Sequence, residues 1–217
     1  YLNLLVLLKP FMKEQNIRTL YNILKIVDNI NYYGFHKKIE KKNYDKIITE
    51  KNKWGIIISN HKSVLDNIII MIIMTDNNLN SNNLKTISKY SKKNLQNEAL
   101  KMYNMVLLKR KWNDDIKYLN KMVYKWENEN RNQQIAMFPE GSILIEKKIT
   151  TYNNLSNLHT GYFNYIINKV RNVKYIYDLT IIYKVNNRIL IGEKDIFYNF
   201  LTNTEFKIII NFDKYEK

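Results

Sequence analysis

The chain has 217 residues, 45% of them hydrophobic, and contains no cysteine. That length suits one domain around a single core, and the missing thiols exclude disulfides, thiolate metal ligands and any reaction that parks an acyl group on cysteine. Thirty-five Lys and Arg against 20 Asp and Glu give a formal net charge of +15. Such an excess suits nucleic acid, an anionic membrane surface or phosphorylated small molecules, although a chain crowded with Lys, Asn, Ile and Tyr by an A/T-rich genome would carry the same charge as plain solvated surface.

The first residue is Tyr1, so the sequence is read as starting inside a longer protein whose upstream part could hold a membrane anchor. Leu2 to Leu8 is apolar but runs into Lys9 and Pro10, far short of the roughly 20 apolar residues of a spanning helix. It also lacks the basic lead and cleavage site of a signal peptide; a buried first helix and a membrane-lying one fit it equally. From Lys13 to Asn31 the residues Ile17, Leu20, Ile23, Leu24 and Val27 recur at helical spacing. Trp54 to Ser59, short and rich in Ile, reads as a buried strand, and Ile68 to Met74 as an apolar helix. Asp76 to Asn83 is an Asn-rich surface loop, and Lys93 to Tyr103 reads as a polar helix.

Met105 to Leu108 and Ile135 to Phe138 read as buried strands with a helix from Ile116 to Trp126 between them. Asn113, Asp114 and Asp115 put acceptors and negative charge where that helix starts. Gly161 to Val170 then reads as helix, and Tyr175 to Tyr183 and Phe206 to Phe212 as strands. Strand and helix alternate, and the strands are short and apolar. The expected fold class is therefore α/β, a layered αβα domain with a mostly parallel central sheet, preceded by an N-terminal helical segment. Residues 1–45 are assigned to that segment, which could lie on a membrane, and 46–217 to the α/β domain.

Three groups of chemically capable residues fall at predicted strand ends. Asn60-His61-Lys62-Ser63-Val64-Leu65-Asp66 follows the first strand, with a carboxylate five residues after a histidine. On one helix that step turns about 140°, so the pair meets only if His61 lies in the loop and Asp66 in the first helical turn. An imidazole oriented by a carboxylate can draw a proton from a hydroxyl at neutral pH; the bland alternative is a strand-end histidine and a helix-start carboxylate with local partners. Phe138-Pro139-Glu140-Gly141-Ser142 follows another strand, its glycine free to turn backbone N–H groups toward an anion, and is otherwise a simple turn. Lys109-Arg110-Lys111 ends a third, where a guanidinium can grip phosphate in two-pronged fashion, unless it is one more patch of basic surface. In a parallel sheet all three gather at the carboxyl rim, where ligands bind.

These segments resemble the glycerol-3-phosphate and lysophosphatidic acid acyltransferase family, marked by Asn-His-x-x-x-x-Asp and Phe-Pro-Glu-Gly-Thr blocks. Asn60, His61, Ser63 and Asp66 match the first block, Arg110 a second, and Phe138 to Gly141 the third, with Ser142 in the place of threonine. Finer wording is similar to the lysocardiolipin and lysophosphatidylinositol branch: Lys89-Tyr90-Ser91, Lys109-Arg110-Lys111-Trp112, Gly161-Tyr162 and Tyr177-Asp178-Leu179-Thr180. The likeness runs from about Trp54 to Phe212.

The resemblance implies transfer of a fatty acyl group from acyl-CoA to the free hydroxyl of a lysophospholipid. His61 would be the base and Asp66 its partner, and Asn60, Ser63, Lys109, Arg110, Glu140, Gly141 and Ser142 would bind substrate. It implies acyl-CoA as co-substrate with no cofactor or metal, a membrane surface as partner, and an intracellular membrane such as the endoplasmic reticulum as location. No Gly-x-Ser-x-Gly elbow is present, in keeping with direct transfer. The chain departs from the family pattern at Ile143, at Asn157, near which a proline is expected before Gly161, and through Lys93 to Tyr103, which lacks the usual Trp, Pro and Gly. His36 and His159 lack a second ligand at metal-binding spacing. The rival reading is a basic module binding lipid or nucleic acid without catalysis; no nucleic-acid recognition motif or aromatic stacking pattern supports the nucleic-acid form of it.

Overall fold

The computed structural model describes residues 37–42, 53–77, 83–91, 97, 100–101, 104–129, 133–141 and 160–217. The expected elements between Leu2 and Asn31, and most of the helix from Lys93 to Tyr103, lie outside the described residues. The strands are β1 (Ile39–Lys42), β2 (Trp54–Ser59), β3 (Leu84–Lys89), β4 (Val106–Leu108), β5 (Gln134–Met137), β6 (Val173–Val185), β7 (Arg188–Ile189) and β8 (Phe206–Glu216). The helices are α1 (Leu65–Asp76), α2 (Trp112–Asn128), α3 (Gly161–Lys169) and α4 (Glu193–Thr202).

One sheet runs in the order β1-β8-β6-β2-β5-β3-β4, with β7 beside β6. From β6 through β2, β5 and β3 to β4 every pairing is parallel. β8 runs antiparallel to β6, Phe206 opposite Val185, because α4 brings the chain back at the end where β6 left the sheet. β1 pairs in parallel with β8, Ile39 beside Ile208. Ile39–Lys42 is thus a strand of this sheet, where the division at residue 45 had placed it in a helical segment; four residues beginning Ile-Glu-Lys-Lys give too short a pattern to show a strand.

Alternation along the strands divides the core between the two faces. On one face Ile57, Ala136, the inward side chains of β6 and β8, and α1 pack together with Ile196 of α4. α1 is apolar on nearly every side and is correspondingly buried, with Ile69, Ile70 and Ile73 each at 1% exposure or less. On the other face Trp54, Ile56, Ile135 and Met137 meet Leu119, Val123 and Trp126 of α2 and Ile166 of α3. The spacing of those three α2 residues forms its single inward stripe. The result is an α/β protein with a mostly parallel sheet between helical layers, and β2, β4 and β5 all end on the same rim.

Candidate active site

β2 stops at Ser59, and His61 lies in the loop before α1 while Asp66 occupies the first turn of that helix. The two side chains therefore converge: His61 Nδ1 stands 3.0 Å from Asp66 Oδ2. The same oxygen accepts the backbone N–H groups of Lys62 at 2.7 Å and Ser63 at 2.9 Å. Asp66 Oδ1 accepts the Tyr183 hydroxyl at 2.5 Å. Asp66 is 0% exposed, so these donors replace water around its charge. An oxygen already facing two N–H donors acts as acceptor toward His61 as well, which puts the imidazole proton on Nδ1 and leaves the Nε2 lone pair available. Among the described residues Nε2 has no hydrogen-bond partner. The Phe138 ring stacks on the imidazole at 4.2 Å between centroids and 18° between planes, fixing its tilt.

β5 lies next to β2 in the sheet, so the Phe138–Gly141 turn falls beside His61. The turn is closed by Gly141 N–H donating to the Phe138 carbonyl at 2.9 Å, and Gly141 has φ of 68°, a conformation that suits glycine. Glu140 is buried and its Oε1 accepts the backbone N–H of His61 at 2.8 Å. Arg110 follows β4 with φ of 62° and donates from Nη2 to the Gly141 carbonyl. Imidazole, turn and guanidinium are thereby tied together on one rim, although β3 separates β4 from β5.

The remaining expected site residues are placed differently. Asn60 turns its amide to β6, donating to the Ile181 carbonyl at 2.8 Å and accepting the Ile181 N–H at 2.7 Å. Ser63 is fully buried; its hydroxyl donates to Glu193 at 3.2 Å and accepts the Leu65 N–H. Both brace the His61 loop, as Glu140 does, and none of the three presents its side chain as an open contact for an anion. Lys109 is exposed, its ammonium 5.9 Å from the centre of the Tyr90 ring. Ser142 lies outside the described residues, as do His36 and His159.

A family model described as Acyltransferase matches residues 38–184, more than half of the chain, His61, Asp66, Arg110 and Glu140 among them. The chain belongs to that acyltransferase family. No curated protein matches it. Among solved structures it is similar to the 1-acyl-sn-glycerophosphate (LPA) acyltransferase PlsC from Thermotoga maritima, at 15% identity and a TM-score of 0.45, over 97% of this chain and 76% of that one.

Two residues of the acyltransferase rim have no counterpart in a motif read along the sequence. Tyr183 comes from β6, far from Asp66 in the chain, and burial together with the Asp66 charge pushes its hydroxyl well above the ordinary tyrosine value. It therefore stays a donor. Glu193, in the first turn of α4, accepts the Val64 N–H at 3.1 Å and the Ser63 hydroxyl. The sequence does not single out Tyr183, because Tyr175 and Tyr177 carry the same polar tip in the same buried, alternating set of β6. For Glu193 it offers no signal beyond a carboxylate at a helix start. Burial lowers the Lys62 ammonium from its usual value, with Glu140 and Asp66 opposing the shift. Among the described residues no group of three or more His, Cys, Asp or Glu could hold a metal ion, and no helix is long and apolar enough to cross a membrane.

Proposed function

We propose that this acyltransferase moves a fatty acyl group from acyl-CoA to the free hydroxyl of a lysophospholipid. His61 Nε2 takes the hydroxyl proton as the oxygen attacks the thioester carbonyl. Collapse of the tetrahedral adduct breaks the C–S bond, and the departing CoA sulfur takes the proton back from the imidazolium. Asp66 holds the tautomer and supports the transient positive charge. Direct transfer is in keeping with a chain that has no cysteine to carry the acyl group.

The observation that carries this reading is the 3.0 Å His61–Asp66 contact on a rim that also holds Arg110. Arg110 has five N–H donors, and with one directed to Gly141 the others can take the acceptor's phosphate in paired fashion. Lys109 adds charge beside it. The Glu140–Gly141 turn then contributes backbone rather than the Glu140 carboxylate, which would repel phosphate. The Lys109-Arg110-Lys111-Trp112 and Tyr177-Asp178-Leu179-Thr180 wording favours lysocardiolipin or lysophosphatidylinositol as acceptor, with lysophosphatidic acid the simplest relative, and the work would take place at an intracellular membrane such as the endoplasmic reticulum.

The test is incubation of purified protein with radiolabelled oleoyl-CoA and a panel of lysophospholipids, followed by separation of the lipids. Label should appear in a diacyl product with at least one phosphate-bearing acceptor, and Arg110→Ala should raise KM for that acceptor. Labelled product from none of the panel would refute the reading.

A further inference from the structure

Two strand-to-helix junctions on this rim share one construction. After β2, His61 is followed five residues later by Asp66; after β4, Arg110 is followed five residues later by Asp115. Asp66 accepts the N–H of Lys62, next after His61, and Asp115 accepts the N–H of Lys111, next after Arg110, at 3.0 Å. Each carboxylate is buried, at 0% and 2% exposure, and each is fastened by a tyrosine from a later element: Tyr183 at 2.5 Å to Asp66, Tyr162 at 2.7 Å to Asp115.

We propose that Asp115, fastened by Tyr162, is the positioning residue that presents Arg110 to the acceptor's phosphate, as Asp66 presents His61. This rests on the reading of Arg110 as the phosphate-binding group. The grip is two-sided, since Asp115 Oδ1 also accepts the Lys109 N–H at 2.8 Å. One carboxylate therefore holds the N–H groups of the residues on both sides of Arg110. Such a hold is needed, because Arg110 sits at φ of 62°, in the left-handed region that a side chain with a Cβ seldom adopts. Released, the backbone would relax toward ordinary φ and swing the guanidinium away from the Gly141 carbonyl and the His61 side of the rim. The effect on the anion is indirect: Asp115 is buried and bonds to the peptide backbone and Tyr162, so the Arg110 donors other than the one to Gly141 stay available to an anion.

Tyr162 is built to stay in place as a donor. Burial and the Asp115 charge push its hydroxyl up to about 12, so it remains protonated throughout the working range. Its ring packs against Trp112 at 5.2 Å between centroids, and Gly161 lets Trp112 approach: a Cβ there would stand 3.2 Å from the indole. α3 is thereby pinned to the first turn of α2, at the end where Arg110 enters.

The test uses sn-glycerol 3-phosphate, a soluble phosphomonoester, titrated calorimetrically into wild type, Asp115→Asn, Tyr162→Phe, Arg110→Ala and the double variant Asp115→Asn with Arg110→Ala. Steady-state transfer from oleoyl-CoA to lysophosphatidic acid is measured in parallel. Asp115→Asn should raise Kd about tenfold and Tyr162→Phe about threefold, the losses expected when a charge-assisted or a supporting hydrogen bond goes. In the Arg110→Ala background Asp115→Asn should add nothing, since partners in one network are not additive. KM for lysophosphatidic acid should rise with Kd, while kcat and the KM for oleoyl-CoA stay within about twofold.

An unchanged Kd, an equal loss with and without Arg110, or a parallel fall in kcat and rise in both KM values would overturn the proposal. If Asp115→Asn fails to fold, the Tyr162→Phe pair, with and without Arg110, decides it. Wild type that binds the phosphomonoester but acylates no acceptor would refute the proposed function and leave the binding series to judge the clamp; wild type that binds none of it overturns the clamp's role even if transfer occurs.

Discussion

Replacing Tyr183 with Phe removes one oxygen from the core and keeps the ring, which packs 6.0 Å from Phe206. The lost hydroxyl is the donor to Asp66 Oδ1, and no other described residue donates to that oxygen. Asp66 is 0% exposed, so water does not take over the bond. A hydrogen bond to a charged group contributes roughly 1.5–3 kcal/mol, and leaving its buried partner unmatched reaches the upper end of that range. For a protein of this size the melting temperature should fall by roughly 3–12 °C. Catalysis should suffer far less, because Oδ2 keeps His61 Nδ1 and the N–H groups of Lys62 and Ser63. We expect kcat to fall less than about tenfold, against about a hundredfold or more for Asp66→Asn, which takes away the acceptor that fixes the tautomer. Thermal melts paired with initial rates at 25 °C measure both. A kcat loss above a hundredfold in Tyr183→Phe at unchanged melting temperature would refute this division between the two carboxylate oxygens.

Gly55→Ala should destabilise the protein by about 1–3 kcal/mol or more, seen as a lower melting temperature, because a Cβ at that position of β2 would overlap the Tyr177 ring and the Gln134 side chain; a melt equal to wild type would contradict that packing. Asp178 sits opposite Asp213 on β8, and burial first and Asp213 second hold its carboxyl above the ordinary 3.8. The fold thus favours its protonated form, a contribution present below pH 3.8 and lost as pH rises through the raised native value. Asp178→Asn should accordingly raise the melting temperature at pH 7 and lose that advantage in acid; a gain that persists at pH 3 would contradict the assignment. Asn60→Ala, which strands the N–H and carbonyl of Ile181, should cost about 1–3 kcal/mol of stability, read from denaturant melts.

The sheet rim was legible where strands are fully buried and therefore uniformly apolar. Trp54 to Ser59 and the runs ending at Leu108 and Met137 stand out for that reason, and each directs the next residues to the rim. β3 was missed because Leu-Lys-Thr-Ile-Ser-Lys is only partly buried and its polar residues fall in two adjacent pairs, so neither an apolar run nor a two-residue alternation shows. α4 exposes Phe197, Tyr198 and Leu201, so its apolar residues do not form one inward stripe, and the period that reveals a helix is blurred. At the site, the five-residue step from His61 to Asp66 was readable because both ends lie in one segment. The bonds from Tyr183, Glu193 and Tyr162 join elements that only the fold brings together. For Asn60, Ser63 and Glu140 the sequence shows a polar residue near His61 but not its partner: Ile181, Glu193 and the His61 N–H meet these side chains only once the fold brings β2, β5, β6 and α4 together.

The role of His61 as base is tested most directly by the turnover of His61→Ala with oleoyl-CoA and whichever lysophospholipid the wild type acylates. Removing the proton acceptor should lower kcat by ~10²–10⁴-fold, with an unchanged circular dichroism spectrum and cooperative melt. Turnover within about twofold of wild type in a variant that folds normally would contradict it.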